Sequence, residues 1–393
     1  MTDNHTTEHL DITQHEIEAL KQIYNLADAH THQSQSISQK KIIKSLPKIW
    51  YESESMKQHE VEEKFIRTFF ETQWQYWALK PNNAMILYAS SISIVVTANY
   101  MMKKGLSCSI LTPVFDNLVD IMKHMKINLN PIDEELLYDP HKIYQNLVKH
   151  CKTDCLFLVD PNNPTWFSLF NLWKKAYEEV IRFCVDHKKT LILDFCFAPF
   201  FMISKDVKVF DVYELLHASK VTFIAYEDTG KTRPTQDMKA SILKTSTDIY
   251  KDVYDITTSY LLNVSPFILN VLIEYMNDSD RTKFASTFNL LNTNRSICEK
   301  TLKWTILQVE KAMVNVPVVW AKITDKRVKA TDLQKFLKSQ GVYILPGTYF
   351  FRENHERWES FVRIALARNT KLFTKAMKQL RIWIDKYMKL LVK

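Results

Sequence analysis

A lysine that directly follows a short apolar run is the first residue of this chain whose position suggests chemistry. Residues 226–231 read Tyr-Glu-Asp-Thr-Gly-Lys, and they follow the β-prone, mostly apolar residues 221–225. Gly230 is one of only four glycines in 393 residues, so its place beside Lys231 indicates a backbone position without room for a side chain. An amine at the exit of a strand can form a Schiff base with a carbonyl compound and then transfer protons. A solvated loop lysine is the ordinary alternative, because most lysines are exposed.

Two further polar residues stand in the same relation to apolar runs. Asn163 follows residues 155–159 and Asp194 follows residues 190–193, and both runs are predicted strands. In parallel sheets the carboxyl ends of neighbouring strands meet at one edge, and ligands bind there. We therefore expect Asn163, Asp194 and Lys231 to surround a common site. The alternatives are local ones, an Asn-Pro turn for the asparagine and a helix N-cap for the aspartate.

Strand and helix patterns alternate through the middle of the chain. This alternation predicts an α/β fold with a mostly parallel sheet and helices on both of its faces. The last third of the chain has shorter strands and a final amphipathic helix, which is typical of a second, smaller α+β domain. The predicted elements of the sheet region are strand 108–111, helix 117–126, strand 155–159, helix 169–187, strand 190–193 and strand 221–226.

Composition and charge argue against several classes of function. The net charge of +8 is spread along the whole chain, so we do not expect nucleic-acid binding. The longest apolar run, residues 191–203, contains Asp194 and is too short to cross a bilayer, so no membrane association is expected. The N-terminal residues lack the apolar core of a signal peptide. The six cysteines match no zinc spacing, so we expect no metal site and a cytoplasmic protein with reduced thiols.

Four motifs, in order along the chain, resemble the signature of a known superfamily. They are residues 160–165 (Asp-Pro-Asn-Asn-Pro-Thr), Asp194, Lys231 and residues 362–365 (Val-Arg-Ile-Ala). The set is similar to that of the class I and II aminotransferases, which are fold-type-I enzymes dependent on pyridoxal 5′-phosphate (PLP).

The resemblance implies an α/β architecture in three parts. Residues 56–275 would form a large PLP-binding domain, with a mostly parallel mixed sheet flanked by helices. Residues 276–393 would form a smaller α+β domain. Residues 1–55 would supply an N-terminal helical arm, or lid, and a segment of the small domain.

Each motif then has an implied role around the PLP ring. Lys231 would carry PLP as a Schiff base and serve as the catalytic acid and base. The carboxylate of Asp194 would face the pyridine nitrogen and keep it protonated, and Asn163 would donate to the 3-oxygen. Phe115 would stack on the ring, although core packing is the commoner fate of a phenylalanine.

The phosphate and the substrate carboxylate have implied partners as well. Ser90 and Ser91, at a predicted helix start, would hold the phosphate, although plain N-capping also explains two adjacent serines. Lys239 stands where the family usually has a phosphate-binding arginine, which keeps the charge but loses the bidentate fork. Arg363 would bind the substrate α-carboxylate, and its alternative is a surface ion pair.

Three departures set the chain apart from ordinary aminotransferases. Trp166 replaces the usual glycine, Phe197 replaces a frequent tyrosine, and Asp228 replaces the serine of the usual Ser-x-x-Lys. The chain is more similar to a narrower branch, the PLP- and oxygen-dependent arginine oxidases of peptide-antibiotic pathways. The segments that resemble this branch are residues 13–16 (Thr-Gln-His-Glu), 25–30 (Asn-Leu-Ala-Asp-Ala-His), 227–231, 234–235, 237, 239–240 and 264–266 (Val-Ser-Pro).

This branch implies an oxidase of L-arginine that uses O2 as its co-substrate and needs neither a metal nor a flavin. Four-electron oxidation with water addition would give 4-hydroxy-2-oxoarginine, and two-electron oxidation would give 2-oxoarginine. Ammonia and hydrogen peroxide would be released, and the family implies a homodimer with shared active sites. One rival is a conventional aminotransferase acting on arginine or a related basic amino acid. The other is a non-enzymatic protein of the same fold, which the presence of Lys231, Asp194 and Arg363 disfavours.

Recognition of the guanidinium group of arginine requires carboxylates in a partly desolvated pocket. By the resemblance these carboxylates are Glu16 and Asp228, with Thr13 nearby. The alternative for residues 13–16 is a helix capping box. Both interpretations hold if the N-terminal helix covers the substrate as a lid.

Residues 25–30 match a segment that lies close to the substrate in this branch. Asp28 and His30 would therefore be catalytic, with His30 positioning or activating the water used in hydroxylation. The presence of His30 favours the hydroxylated product. The alternative is a histidine at a helix C-terminus that binds carbonyl groups. His15 and His32 are interpreted as surface residues.

Overall fold

Three sheets and the helices that cover them make up the part of the chain that the structure, a computed structural model, describes: residues 12–204, 207–351 and 355–391. The strands are β1 Tyr24–Asn25, β2 Ala84–Leu87, β3 Cys108–Thr112, β4 Leu129–Asp133, β5 Cys155–Val159, β6 Thr190–Asp194, β7 Phe223–Asp228, β8 Ser241–Thr245, β9 Leu307–Val309, β10 Val318–Ile323, β11 Val342–Tyr343, β12 Leu345–Pro346 and β13 Phe361–Ala365.

The α-helices alternate with the strands of the largest sheet and then flank the C-terminal sheet. They are α1 Ile12–Leu20, α2 Ile37–Lys44, α3 Leu46–Ser55, α4 Gln58–Glu71, α5 Ser90–Lys104, α6 Asp116–His124, α7 Ile143–His150, α8 Lys174–Asp186, α9 Val212–Ser219, α10 Tyr250–Tyr260, α11 Pro266–Arg281, α12 Ala285–Leu302, α13 Ala330–Ser339, α14 His355–Trp358 and α15 Thr370–Leu390. Short 3-10 helices cover Tyr76–Leu79, Glu134–Leu137, Leu169–Leu172, Ala198–Ile203 and Gly347–Phe350.

The largest sheet has seven strands in the order β2-β8-β7-β6-β5-β3-β4. Strand β8 is antiparallel to both of its neighbours, and the other pairings are parallel. Every residue of β5 is buried, as expected for a strand covered by helices on both faces. This arrangement confirms the predicted α/β fold, with a mainly parallel sheet flanked by helices.

The predicted elements agree with the structure where the pattern was local and apolar. Strands β3, β5 and β6 match within one residue, whereas β7 begins later and runs on to Asp228. The single helix predicted over residues 169–187 is wrong: it is interrupted at Trp173, whose φ is 73°, and α8 begins after it. Strand β8 was not predicted, because Lys244 interrupts its apolar pattern. This lysine is buried, and its amine donates to the Pro81 carbonyl at 2.9 Å.

The C-terminal part of the chain forms a four-stranded antiparallel sheet in the order β12-β13-β10-β9. Strand β1, near the N-terminus, pairs in parallel with β11, so the N-terminal segment is bound to the C-terminal part. The domain boundary predicted between residues 275 and 276 falls inside α11, which packs against α4. The division into three parts remains a prediction. Among the described helices, none has both the length and the apolar character that crossing a membrane requires.

Candidate active site

A cavity of about 210 Å³ lies where the carboxyl ends of β5, β6 and β7 meet helices α1 and α5. Its lining contains all but two of the residues singled out from the sequence. Asp28 and Arg363 are absent from the lining, and both are buried close behind it. The predicted residues that line it are Thr13, Glu16, His30, Ser90, Ser91, Phe115, Asn163, Asp194, Asp228, Lys231 and Lys239.

Strand pairing places the residues at the floor of the cavity. Asp194 is the last residue of β6 and lies opposite Val159 of β5 and Tyr226 of β7. Asp228 is the last residue of β7. Because these strands are parallel and in register, the residues that follow them reach the same edge of the sheet. Asn163 and Lys231 reach the cavity from the loops beyond β5 and β7.

Asp194 supplies a carboxylate in a desolvated position. Its Oδ1 accepts a hydrogen bond from the Cys196 N–H at 2.9 Å. Burial raises the pKa of Asp194 to about 6, against the hydrogen bonds from Cys196 that lower it. A carboxylate in such a place gains from a cationic partner, so it suits the protonated ring nitrogen of PLP.

The first turn of α5 and Lys239 form an electropositive end of the cavity. Ser90 and Ser91 open the 15-residue helix α5, where the helix dipole favours an anion, and the Ser90 N–H already donates to the Asp228 carboxylate. The side chain of Lys239 lines the same cavity. This end of the cavity suits the phosphate of PLP. The amine of Lys231, the carboxylate of Asp194 and the amide of Asn163 are the groups that the rest of the cofactor needs.

Asp228 connects the turn that carries Lys231 to helix α5. Its Oδ2 accepts from the Ser90 N–H at 3.1 Å, and its Oδ1 accepts from the Gly230 N–H at 2.5 Å. A Cβ on Gly230 would lie 2.9 Å from that Oδ1 and 3.1 Å from the Lys239 side chain. The glycine is thus required by close packing, as its position beside Lys231 indicated.

Arg363 and Glu16, both predicted to bind the substrate, bind each other in this structure. The Arg363 guanidinium is fully buried and donates to Glu16 Oε1 at 2.5 Å, to the Ala27 carbonyl at 2.7 Å and to Asn163 Oδ1 at 3.3 Å. Its Nε is buried without a hydrogen-bond partner among the described residues. The surface ion pair considered for Arg363 is therefore wrong.

The capping box considered for residues 13–16 is also wrong. Helix α1 begins at Ile12, so Thr13 lies inside the helix, and its hydroxyl accepts from Asn117 at 3.4 Å. The Glu16 carboxylate reaches across to Arg363, so it does not turn back to cap its own helix.

His30 lies at the cavity beside Lys231. Its backbone N–H donates to Asp28 Oδ1 at 3.0 Å, which fixes the turn. The positive charge of Lys231, followed by burial, lowers the pKa of His30 to about 4, while Asp28 opposes the shift. The imidazole is therefore neutral near pH 7 and has a ring nitrogen that can accept a proton.

Asp28 is held behind the cavity by a buried network. Its carboxylate accepts from Asn25 Nδ2 at 2.5 Å, from His32 Nε2 at 3.0 Å and from the Arg368 guanidinium at 3.0 Å. Burial acts to raise the pKa of Asp28, but the hydrogen bond from His32 and the charge of Arg368 outweigh it, so the pKa falls well below its ordinary value. Asp28 is therefore a carboxylate at all ordinary pH values.

Sequence reasoning missed or misplaced several of these partners. No sequence motif pointed to Arg368, because its partner Asp28 is 340 positions away in the chain. His32 is exposed, as predicted, but no signal in the sequence indicated that its Nε2 lies 3.0 Å from Asp28 Oδ1. His15 is buried, and its Nδ1 lies 2.6 Å from the Tyr343 hydroxyl.

The two aromatic departures from the aminotransferase pattern form one contact. Trp166 adopts a φ of 62°, a left-handed conformation that glycine accommodates most easily. Its indole packs edge-on against the Phe197 ring, with centroids 5.2 Å apart. The Lys231 amine lies 5.8 Å from the centroid of Phe197. The Phe197 ring, with Trp166 packed behind it, therefore gives the cavity an apolar side near the Lys231 amine.

Residues 52–380 match the family described as aminotransferase class I and II. Among solved structures, MppP soaked with its product 2-ketoarginine is 26% identical, covering 92% of this chain and 99% of that one, with a TM-score of 0.82. A PLP-bound putative aminotransferase from Clostridium difficile 630 is 15% identical, covers 98% of each chain and has a TM-score of 0.78. LysN, the alpha-aminoadipate aminotransferase of Thermus thermophilus, is 10% identical, covers 97% of this chain and 96% of that one, and has a TM-score of 0.78. The last two matches show the fold alone, and no curated protein sequence matches the chain.

The charge of Lys231, which lines the same cavity as His30, predicts how the histidine titrates. In the cofactor-free protein, Lys231→Ala removes the main cause of the lowered pKa, so the pKa of His30 should rise from about 4 toward its ordinary value of 6.5. Lys239→Ala is the matched control and should give a smaller rise, because Lys239 contributes less. NMR titration of labelled histidine measures both. An equal shift in the two variants would contradict the placement of His30 beside Lys231.

Proposed function

Since the chain belongs to the class I and II aminotransferase family, a family of PLP-dependent enzymes, we propose that it is a PLP-dependent oxidase of L-arginine that uses O2. The products are 4-hydroxy-2-oxoarginine, 2-oxoarginine or both, together with ammonia and hydrogen peroxide. The two-electron oxidation consumes one O2 and one water. The four-electron oxidation consumes two of each, and the added hydroxyl oxygen comes from water.

The observation that carries this proposal is that the His30 imidazole lines the same cavity as the Lys231 amine, whose charge lowers the pKa of the histidine. An aminotransferase returns the proton that it removes and needs only one acid and base near the substrate Cα. A second proton acceptor at the same cavity suits a reaction that must also hold or deprotonate a water. The likeness to MppP at 26% identity supports the same assignment, because 2-ketoarginine is a product of that protein.

The residues of the chain divide the chemistry between them. Bound PLP supplies an electron sink that stabilises negative charge at the substrate Cα. The Lys231 amine removes the Cα proton, and Asp194 holds the proton on the ring nitrogen. His30 orients the water, and the Phe197 ring, with Trp166 packed behind it, excludes other water from that side.

Substrate recognition uses the contact between Arg363 and Glu16. The α-carboxylate of arginine replaces Glu16 on the Arg363 guanidinium, and the displaced Glu16 then accepts hydrogen bonds from the guanidinium of the substrate. One buried ion pair is exchanged for two, so no charge stays unpaired in the cavity. Asp228 keeps lone pairs free for the same guanidinium, and Thr13 lies beside it on the cavity wall.

Ammonia release separates the proposed oxidase from an aminotransferase. The purified, PLP-loaded protein is incubated with L-arginine in air, with and without pyruvate, and ammonia and alanine are measured. The proposal expects ammonia in proportion to the keto acid formed, with or without pyruvate. Alanine formed only when pyruvate is present, without ammonia, would make the protein a conventional aminotransferase.

The proposed enzyme is a homodimer with active sites shared between its subunits. Several aromatic side chains are about half exposed, among them Trp50, Trp74 and Trp77, and aromatic residues are enriched at protein interfaces. Sedimentation velocity at micromolar concentration should give about twice the chain mass of 46.4 kDa. A single species of chain mass would refute the dimer and leave the oxidase proposal intact.

Glu16→Gln tests the substrate contact. The variant loses a charge-assisted hydrogen bond to the guanidinium, worth about 1.5–3 kcal/mol, so KM for arginine should rise roughly tenfold to a hundredfold. The absorbance of bound PLP should not change. Glu18→Gln is the matched control, because Glu18 lies on the same helix but binds Lys21 and Lys338. An unchanged KM in Glu16→Gln would remove Glu16 from substrate binding.

His30→Ala tests the role of the imidazole. Without a group to orient the water, the product should shift toward 2-oxoarginine, while arginine consumption continues. The ratio of the two keto acids is read by mass spectrometry. His59→Ala, at an exposed position of α4, is the control and should keep the ratio of the unaltered protein. A ratio that is the same in both variants would exclude His30 from hydroxylation.

A further inference from the structure

The segment that carries His30 has little regular structure of its own. We call residues 25–30 the His30 turn; its only strand residue is Asn25, at the end of β1. Within it, the Asn25 side chain accepts from the Ala27 N–H at 3.0 Å and donates to Asp28. Such a short turn has few contacts of its own, so its position at the cavity depends on what holds its backbone.

Arg368 holds both ends of the His30 turn. Its Nε donates to the Asn25 carbonyl at 2.9 Å, and one terminal nitrogen donates to the His30 carbonyl at 3.1 Å. The other terminal nitrogen donates to the Asp28 carbonyl at 2.8 Å and to the Asp28 carboxylate at 3.0 Å. Arg368 is only 8% exposed, so these bonds form in a place where unpaired carbonyl groups would be costly.

Three other contacts hold the middle of the turn, and the first is the Leu26 N–H, which donates to the Tyr343 carbonyl of β11 at 2.8 Å. The Leu26 carbonyl accepts from the Ala365 N–H of β13 at 2.7 Å, and the Ala27 carbonyl accepts from Arg363 at 2.7 Å. None of these three bonds involves the backbone of His30, whereas the Arg368 guanidinium donates to its carbonyl directly. Arg368 is therefore a side chain that binds the His30 end of the turn directly.

We propose that Arg368 is the positioning residue that sets His30 at the cavity and thereby controls the partition between the hydroxylated and the simply oxidised keto acid. This inference rests on the proposed function for its second part. Arg368 does not line the cavity and does not touch the substrate. It acts through the backbone of the His30 turn, and its role is to keep the imidazole beside Lys231.

The shape of the guanidinium matters as much as its charge. Arginine presents five donors in a rigid planar fork, which here reaches three carbonyl groups of the turn and one carboxylate. A lysine has the same charge at a single point and cannot span both ends of the turn. Arg368→Lys therefore keeps the charge beside Asp28 and removes the fork, which separates positioning from electrostatics.

The experiment measures His30 directly in the cofactor-free protein. In Arg368→Lys the turn loosens and His30 moves away from Lys231, so the pKa of His30 should rise from about 4 toward 6.5. Arg381→Lys is the matched control, because Arg381 also donates to two backbone carbonyls, those of Thr301 and Lys303, far along the chain from the turn. A pKa that stays at about 4 in Arg368→Lys would overturn the proposal.

The same variants, loaded with PLP, test the consequence for the reaction. Arg368→Lys should lower the ratio of hydroxylated to simply oxidised product by roughly tenfold or more, with kcat affected more than KM, since a displacement of about 1 Å is enough for such losses. The band of bound PLP should be as in the unaltered protein. If the pKa of His30 shifts but the product ratio does not change, Arg368 does not control the ratio of the two keto acids.

Failure of the proposed function gives a different result. If arginine is not oxidised by the unaltered protein, the product assay is silent in every variant, and the titration of His30 still decides whether Arg368 positions it. A thermal unfolding curve for Arg368→Lys accompanies both assays. If that variant does not fold, Arg368→Gln, which keeps a planar donor, replaces it. A His30 pKa that stays at about 4 in Arg368→Gln would also overturn the proposal.

Discussion

Two buried guanidinium groups, those of Arg363 and Arg368, hold the N-terminal segment of the chain against the cavity that contains Lys231. Both arginines belong to the segment formed by β13 and the loop after it, and both donate to carbonyl groups of residues 25–30. Burying a guanidinium is costly unless its donors find acceptors, and the backbone carbonyls of this segment accept three hydrogen bonds from Arg368 and one from Arg363. The same contacts therefore stabilise the arginines and place His30.

The charges around the cavity explain the protonation states on which the proposed chemistry depends. Burial raises the pKa of Asp194 to about 6, whereas the neighbouring charge of Lys231 lowers the pKa of His30 to about 4. Near pH 7 the first is a carboxylate and the second is a neutral base. Between pH 4 and 6.5 the unfolded chain binds the His30 proton and the folded chain does not, so this histidine makes the folded state less stable as the pH falls through that window.

Much of the fold and part of the site could be predicted from the sequence, because those signals are local. Asn163, Asp194 and Lys231 each follow an apolar run, and parallel strands bring such positions together whatever lies between them. The pairing of Glu16 with Arg363 had no local signal, since 347 positions separate the two residues. The interruption of the helix at Trp173 and the burial of Lys244 in β8 both go against local propensity. Tertiary packing determines the conformation at these two positions.

The central claim is that this cavity oxidises arginine with O2, and oxygen consumption tests it most directly. Purified, PLP-loaded protein is mixed with L-arginine and no keto acid in a closed oxygen electrode, and the products are identified by mass spectrometry. The account predicts uptake of O2 and a product one oxygen atom heavier than 2-oxoarginine, alone or together with 2-oxoarginine. No uptake of O2, with turnover only after pyruvate or 2-oxoglutarate is added, would contradict it and leave His30 without its proposed role.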